Sequence, residues 1–223
     1  MKILYVIPAR GGSKGIPRKN IKPLNGKPLI YYTIDVARQL TTDENICVTT
    51  DDDEIIDVVE SYGLKVPFKR PDYLATDTAT TNDVLLHAVN YYESEGETYD
   101  LLVLLQPTSP LRKAIQVKEA LSLFDESLDM VVSVKESHSA SVICSENKSG
   151  FLELTLNKMG LRRQNITSFY EYNGAIYVIS IDKLKKIGLS DFRYKKKYVM
   201  DEMSSHDIDT ILDWKMAEVL INE

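Results

Sequence analysis

The stretch that decides the fold is KILYVIPARGGSKGIPRKN, residues 2–20. Its first part, Ile3 to Ile7, is a short apolar run rich in β-branched residues. Such a run reads as a strand buried on both faces. The chain then enters a loop whose Gly11, Gly12 and Gly15 allow tight turning and close approach of backbone N–H groups to an anion. Arg10, Lys14 and Lys19 add charge-assisted donors for phosphate oxygens. From Arg10 to Lys27 there are six cations and no acid, whereas the whole chain carries −6, so the remainder is at −12. A compact positive island on an acidic chain is a candidate anion site. A solvated basic loop is the plain alternative, but such loops are normally interspersed with acids.

Outward from this loop, strands and helices are predicted to alternate. Pro28 opens a helix with apolar positions at Leu29, Tyr32, Val36 and Leu40. NICVTT (45–50) reads as a second buried strand, 53–62 as a helix closed by Gly63, and LKVPF (64–68) as a short strand. Thr80 or Thr81 caps a helix reaching about residue 95. LLVLLQ (101–106) is apolar on both faces, which predicts a central strand of a parallel sheet. A helix over 113–125, a strand at 130–134, a strand at 173–180, a helix near 181–187, a strand at 198–200 and a helix over 211–221 follow. KKK at 195–197 reads as a solvated edge. The alternation implies an α/β domain with helices on both faces of a mostly parallel sheet, with ligands at the loops leaving the strand C-terminal ends. Those loops are 9–20, 51–52 and 106–112.

Between Glu136 and Tyr172 the rhythm breaks. SVIC and FLELTL are separated by Asn147, Gly150 and Gly160, which reads as an extension inserted into a single domain spanning 1–223. Its apolar residues, among them Phe151, Leu154, Leu156 and Phe169, are expected either to form a contact with a second copy or to fold back as a flap.

Several classes are excluded or weakened. With 43% hydrophobic and 27% charged residues the chain is of ordinary globular make-up. No signal peptide and no membrane span is expected, so a soluble, cytoplasmic protein is predicted. Cys47 and Cys144 match no metal spacing and read as reduced, buried thiols. The acidic balance argues against nucleic-acid binding. The loop is neither a Walker A motif, which needs a Gly-Lys-Ser/Thr ending, nor a dinucleotide fingerprint.

Asp207 and Asp209 stand at i, i+2. In extended chain their side chains share a face, about 7 Å apart at the backbone. Two carboxylates on one face suit a hard cation such as Mg²⁺, whose shell is completed by water and substrate phosphates. A helix cap at Asp209 or Thr210 is the alternative and is compatible with metal binding. His206 and His87 read as non-catalytic; His138 falls in the extension.

PARGGSKGIPRKNI with NGKPLI behind it, RPDYLATDTATTNDV (70–84), LLQPTSPLR (104–112), NGAIY (173–177) and DIDT (207–210) together resemble the CMP-sialic acid synthetases, the acylneuraminate cytidylyltransferases. The resemblance covers nearly the whole chain. It implies a Rossmann-like, three-layer αβα nucleotidyltransferase fold with a small dimerisation extension at 136–172. It further implies CTP and an acidic nine-carbon sugar as substrates, Mg²⁺, and a homodimer. By position, Arg10, Lys14, Lys19 and Asn20 match triphosphate-binding residues, with Gly11, Gly12 and Ser13 in the same loop. Arg70, Thr80 and Thr81 match the nucleoside side, threonine standing where many members have serine. Gln106, Arg163 and Asn173 match acceptor-side positions. Lys19 and Arg10 with Asp207 and Asp209, the metal pair, form the expected catalytic set. One position departs: the family often has arginine two residues before its NGAIY motif, and Glu171 stands here. The same chemistry on legionaminic, pseudaminic or KDO-like acids remains open, as does a non-catalytic nucleotide or sugar sensor.

Overall fold

In the computed structural model the described residues are 1–13, 15–137, 143–146, 148–154 and 168–222. The strands are β1 Ile3–Pro8, β2 Pro23–Leu24, β3 Lys27–Pro28, β4 Ile46–Thr49, β5 Leu101–Leu104, β6 Met130–Ser137, β7 Cys144–Glu146, β8 Leu152–Leu154, β9 Phe169–Ser180 and β10 Lys195–Val199. The α-helices are α1 Leu29–Arg38, α2 Asp53–Ser61, α3 Thr81–Ser94, α4 Ala114–Ser122, α5 Ile181–Ile187 and α6 Ile211–Leu220. Six strands form one sheet in the order β10-β6-β9-β5-β1-β4.

The pairing of this sheet is mixed at one strand. β1 runs parallel to β4 and β5, and β10 parallel to β6, while β9 is antiparallel to both β5 and β6. LLVLLQ is therefore central, as predicted, but has one antiparallel neighbour. Its alternate residues serve opposite cores. Leu101, Val103 and Leu105 pack with α1, α2 and α4, and Leu102 and Leu104 pack with α3 and α5. A period of two with both faces apolar places a helical layer on each side, which gives the expected αβα sandwich.

A third, smaller core lies at the ligand edge. It joins Ile16 of the early loop, Leu24 of β2, Leu29 of α1, Ile208, and Trp214 and Ala217 of α6. Ile208 is fully buried while Asp207 and Asp209 on either side are not, so anchoring the isoleucine turns both carboxylates toward the opposite face.

Several sequence expectations shift. LKVPF is no strand: an isolated bridge, Thr50 to Lys69, forms just beyond it, and Pro67 has no N–H for a ladder. Pro28 caps α1 from outside and pairs with Pro23. β6 and β9 run longer than predicted, so 136–137 and 169–172 belong to the main sheet. They form a ribbon past the ends of the neighbouring strands. Beyond it, β7 and β8 make a separate antiparallel pair. Cys47 is buried, its thiol pushed up to about 12 by burial, but Cys144 is exposed on that outlying pair. The expectation of two buried thiols fails because two short strands have no helix layer to cover them. Lys195, Lys196 and Lys197 are exposed on the edge strand, as read. Among the described residues no helix is long and apolar enough to cross a membrane.

Candidate active site

The early loop is held by the acidic turn after β4. Gly11 N–H donates to Asp51 Oδ1 at 3.2 Å, and Arg18, in the left-handed region at φ 56°, donates to Asp52 Oδ2 at 2.7 Å and pairs with Glu54. A Cβ on Gly11 would lie 2.3 Å from Asp52 Oδ2, so the glycine is required by close approach. Asn20 fixes the loop from inside by donating to the Arg10 carbonyl at 3.0 Å.

The loop meets the late aspartates directly. Lys19 Nζ donates to the Ile208 carbonyl at 2.6 Å and lies 3.3 Å from Asp209 Oδ1. A Cβ on Gly15 would fall 2.3 Å from the Asp209 carbonyl oxygen, a backbone atom. The third core packs beneath this junction.

Around it opens a cavity of about 490 Å³ lined by Arg10, Ser13, Gly15, Lys19, Asn20, Arg70, Thr80, Thr81, Gln106, Asp207 and Asp209, together with Thr108 and others. The sequence-predicted residues thus converge from five segments. Gly11 and Gly12 shape the loop without lining the cavity. Lys14 and Arg163, as well as His138 and Leu156, lie outside the described residues.

Partners define what each side chain can do. Arg10 donates to Asp77 Oδ1 at 3.0 Å, which steers it over the cavity from the facing loop. Arg70 is buried, donates to the Thr49 carbonyl at 2.6 Å, and its pKa is lowered by burial. Thr80 closes a capping box with Asp83 and so fixes the start of α3 at the cavity wall. Asp207 has a carboxyl raised above the usual range by burial, opposed by the Thr108 hydroxyl and Lys19 and reinforced by the charge of Asp209. Its Oδ1 is buried, with the Thr108 hydroxyl beside the carboxyl. A buried carboxylate short of donors, beside a second carboxylate, is a ligand set that suits a hard cation bringing its own phosphate ligands. Among the described residues no group of three or more His, Cys, Asp or Glu side chains is placed to hold a metal ion.

A second cavity of about 860 Å³ adjoins the first and is lined by Lys135, Glu171, Tyr172, Asn173, Tyr177, His206 and neighbours. Gln106 and Asp207 line both. Asn173 faces it, but its amide is used by the fold: Oδ1 accepts from Ser133 at 2.5 Å and Nδ2 donates to Ser205 at 2.9 Å. His206 packs on the Asp213 carbonyl at 2.8 Å, and His87 packs edge-on against Phe68.

Sequence reasoning did not single out Thr108 or Arg112, although both lie inside a quoted motif. Thr108 lines the first cavity with a buried hydroxyl beside the Asp207 carboxyl, while its carbonyl accepts from Ile208 N–H at 2.9 Å. Arg112 is fully buried and donates to the Gln106 and Ala175 carbonyls at 3.1 and 2.8 Å and to Thr33 at 2.8 Å. Burial brings its pKa down to about 9. It is the strut that holds the 106–112 loop against β9.

Fold and site together define a doubly covered α/β domain that gathers cations and two carboxylates at the carboxyl edge of its sheet. The chain belongs to the cytidylyltransferase family, whose profile matches residues 4–222. It is 37% identical over 222 residues to an N-acylneuraminate cytidylyltransferase of Escherichia coli, covering 97% of this chain and 51% of that protein. A CMP-N,N'-diacetyllegionaminic acid synthase of Legionella pneumophila is 34% identical, with 99% and 97% covered. A pseudaminic acid cytidylyltransferase of Campylobacter jejuni is 33% identical, with 99% and 96% covered. The chain thus spans about half of the first relative and nearly all of the other two. A solved CMP:2-keto-3-deoxy-manno-octonic acid synthetase complexed with CTP shares the fold at a TM-score of 0.73 and 18% identity, covering 100% of this chain and 99% of that one.

Proposed function

We propose that the protein transfers CMP from CTP to the anomeric hydroxyl of an acidic nonulosonic sugar. The observation that carries this reading is the meeting of Lys19 with Ile208 and Asp209 at the mouth of the first cavity. The triphosphate fits that cavity, between the cationic loop and the aspartates. The acceptor fits the second cavity, across the wall formed by Gln106 and Asp207.

In the reaction the hydroxyl oxygen forms a bond to the α-phosphorus, the bond from that phosphorus to the bridging oxygen breaks, pyrophosphate leaves, and the hydroxyl proton is released. Charge and alignment dominate such a step, so clamps matter more than a protein nucleophile. Lys19 and Arg10 neutralise charge gathering on the departing pyrophosphate. Thr80, Thr81 and Arg70 shape the nucleoside end. Asp207 and Asp209 would hold Mg²⁺, which when bound polarises the phosphate oxygens.

Acylneuraminate is the first acceptor proposed, after the relative of highest quoted identity. Legionaminic or pseudaminic acid is a second reading, favoured by the end-to-end likeness to those synthases and by Glu171 in the acceptor cavity. A homodimer is part of the proposal. Phe151 and Leu152 are 69% and 75% exposed, and α6 presents Leu212, Met216 and Val219 to solvent, apolar surface that a second copy would cover. We place the enzyme in the cytoplasm, where CTP is available.

Pyrophosphate release from CTP, UTP, GTP and ATP, each with a panel of neuraminic, legionaminic, pseudaminic and 3-deoxy-octulosonic acids, tests the reading. Release with CTP and at least one nonulosonic acid is expected. Nucleotide binding without release under any pairing would leave a sensor instead.

A further inference from the structure

The acceptor cavity poses a charge problem. Glu171, Glu202, Asp207 and Asp213 line it, and an acidic sugar adds another negative group. Among its described lining residues, Lys135 is the one lysine or arginine. It stands directly across the β6–β9 ladder from Glu171, on the ribbon that projects past the ends of the neighbouring strands.

We propose that Lys135 is the cation that recognises the acceptor's carboxylate, with Glu171 orienting it. This rests on the transferase reading given above. Lys135 Nζ lies 3.5 Å from Glu171 Oε2, near enough for attraction but beyond a good hydrogen bond. One N–H faces Glu171, and the remaining donors of the ammonium are open to a further acceptor. Glu171 is itself tied down: its other carboxylate oxygen accepts from Ser137 Oγ, one step along the same face. That face is a polar stripe, since Ser133, Lys135 and Ser137 on β6 meet Asn173 and Glu171 on β9. The stripe leads from the buried Asn173 outward to the half-exposed Lys135, so a sugar lying along it brings its carboxylate to the lysine.

An exposed lysine–glutamate pair adds little to stability, which leaves its presence at a cavity wall unexplained by folding alone. A carboxylate approaching from this side finds positive charge at 135.

Steady-state pyrophosphate release at saturating CTP tests the assignment. Lys135→Ala should raise the KM for the acidic acceptor at least tenfold and leave the KM for CTP unchanged. Lys135→Arg should restore most of the loss. With the carboxamide analogue of the acceptor, wild type and Lys135→Ala should perform alike. An unchanged acceptor KM in Lys135→Ala, no rescue by arginine, or an equal loss on the carboxamide each overturns the role. If wild type itself releases no pyrophosphate with any acid, the transferase reading falls and takes this one with it; activity in wild type with an indifferent Lys135→Ala removes this one alone.

Discussion

Lys19 Nζ donates a 2.6 Å hydrogen bond to the carbonyl of Ile208, a residue 189 positions away in sequence. The lysine side chain is only 12% exposed, so its charge is delivered to the cavity with little freedom. Lys19→Ala should lower kcat as well as raise the KM for CTP, for a loss in kcat/KM of about 10²-fold, the scale of losing one preorganised donor to developing charge. A change confined to KM would mean that Lys19 binds ground-state nucleotide only.

The two loop glycines at 12 and 15 separate shape from flexibility. Added at Gly15, a methyl meets the Asp209 backbone oxygen at 2.3 Å; at Gly12 it meets nothing within 4 Å. Gly15→Ala should therefore push the loop from the aspartates and cut turnover by more than tenfold, with a lower Tm. Gly12→Ala should stay within threefold of wild type. Equal effects would show that backbone freedom, not the close approach, sets the requirement.

Asp207 carries a stability cost in the ligand-free protein. Burial raises its carboxyl, so the folded state disfavours the charged form. That cost is absent at low pH, where the carboxyl is protonated folded or unfolded. It develops as pH climbs from the ordinary carboxylate range through the raised folded value, and it is complete above that. Asp207→Asn should therefore increase the Tm of the ligand-free protein at pH 7. A buried oxygen short of donors costs on the order of 1 kcal/mol, and that is roughly 2–4 °C for a chain of this size. The gain should shrink as pH falls through the raised folded value and vanish below about 4; turnover should be lost at every pH. Thermal scans across pH check the sign, and a Tm that drops at pH 7 contradicts it.

Arg112 acts through structure. Arg112→Met leaves the Gln106 and Ala175 carbonyls and the Thr33 hydroxyl without its donors. The expected destabilisation is about 3 kcal/mol, a fall in Tm of roughly 6–12 °C. Arg112→Lys should recover little, because one ammonium cannot span the positions reached by a planar fork.

Much of this was readable in residue order. The two-sided apolar runs at 3–7, 46–49 and 101–104 became adjacent parallel strands, because such runs have no polar face to expose. The basic glycine loop and the i, i+2 aspartates were also visible, as local patterns. What stayed hidden depends on distant partners. Nothing around Arg112 announces that it is buried, since arginine is ordinarily exposed and its acceptors lie at 33, 106 and 175. Nor does NGAIYVIS reveal its antiparallel direction, which is set by the long ribbon with β6. LKVPF misled because its apolar content answers to packing beside β4 and not to a ladder. Asp52 and Asp77 stand out in no sequence pattern, and only the folded chain shows them gripping Arg18 and Arg10.

The exposed pair Phe151 and Leu152 addresses assembly. Replacing both with serine should shift sedimentation at micromolar concentration toward a monomer. Wild-type protein that already sediments as a monomer would remove the homodimer.

Gln106 and Asp207 form a party wall between the two chambers. Donor and acceptor would therefore never share a room: each is housed separately and they touch only through a gap bounded by these side chains. Fidelity then depends on keeping the gap filled. A vacant acceptor chamber, or a shortened residue 106, would let water stand where the sugar hydroxyl should, and the nucleotide would be spent on hydrolysis.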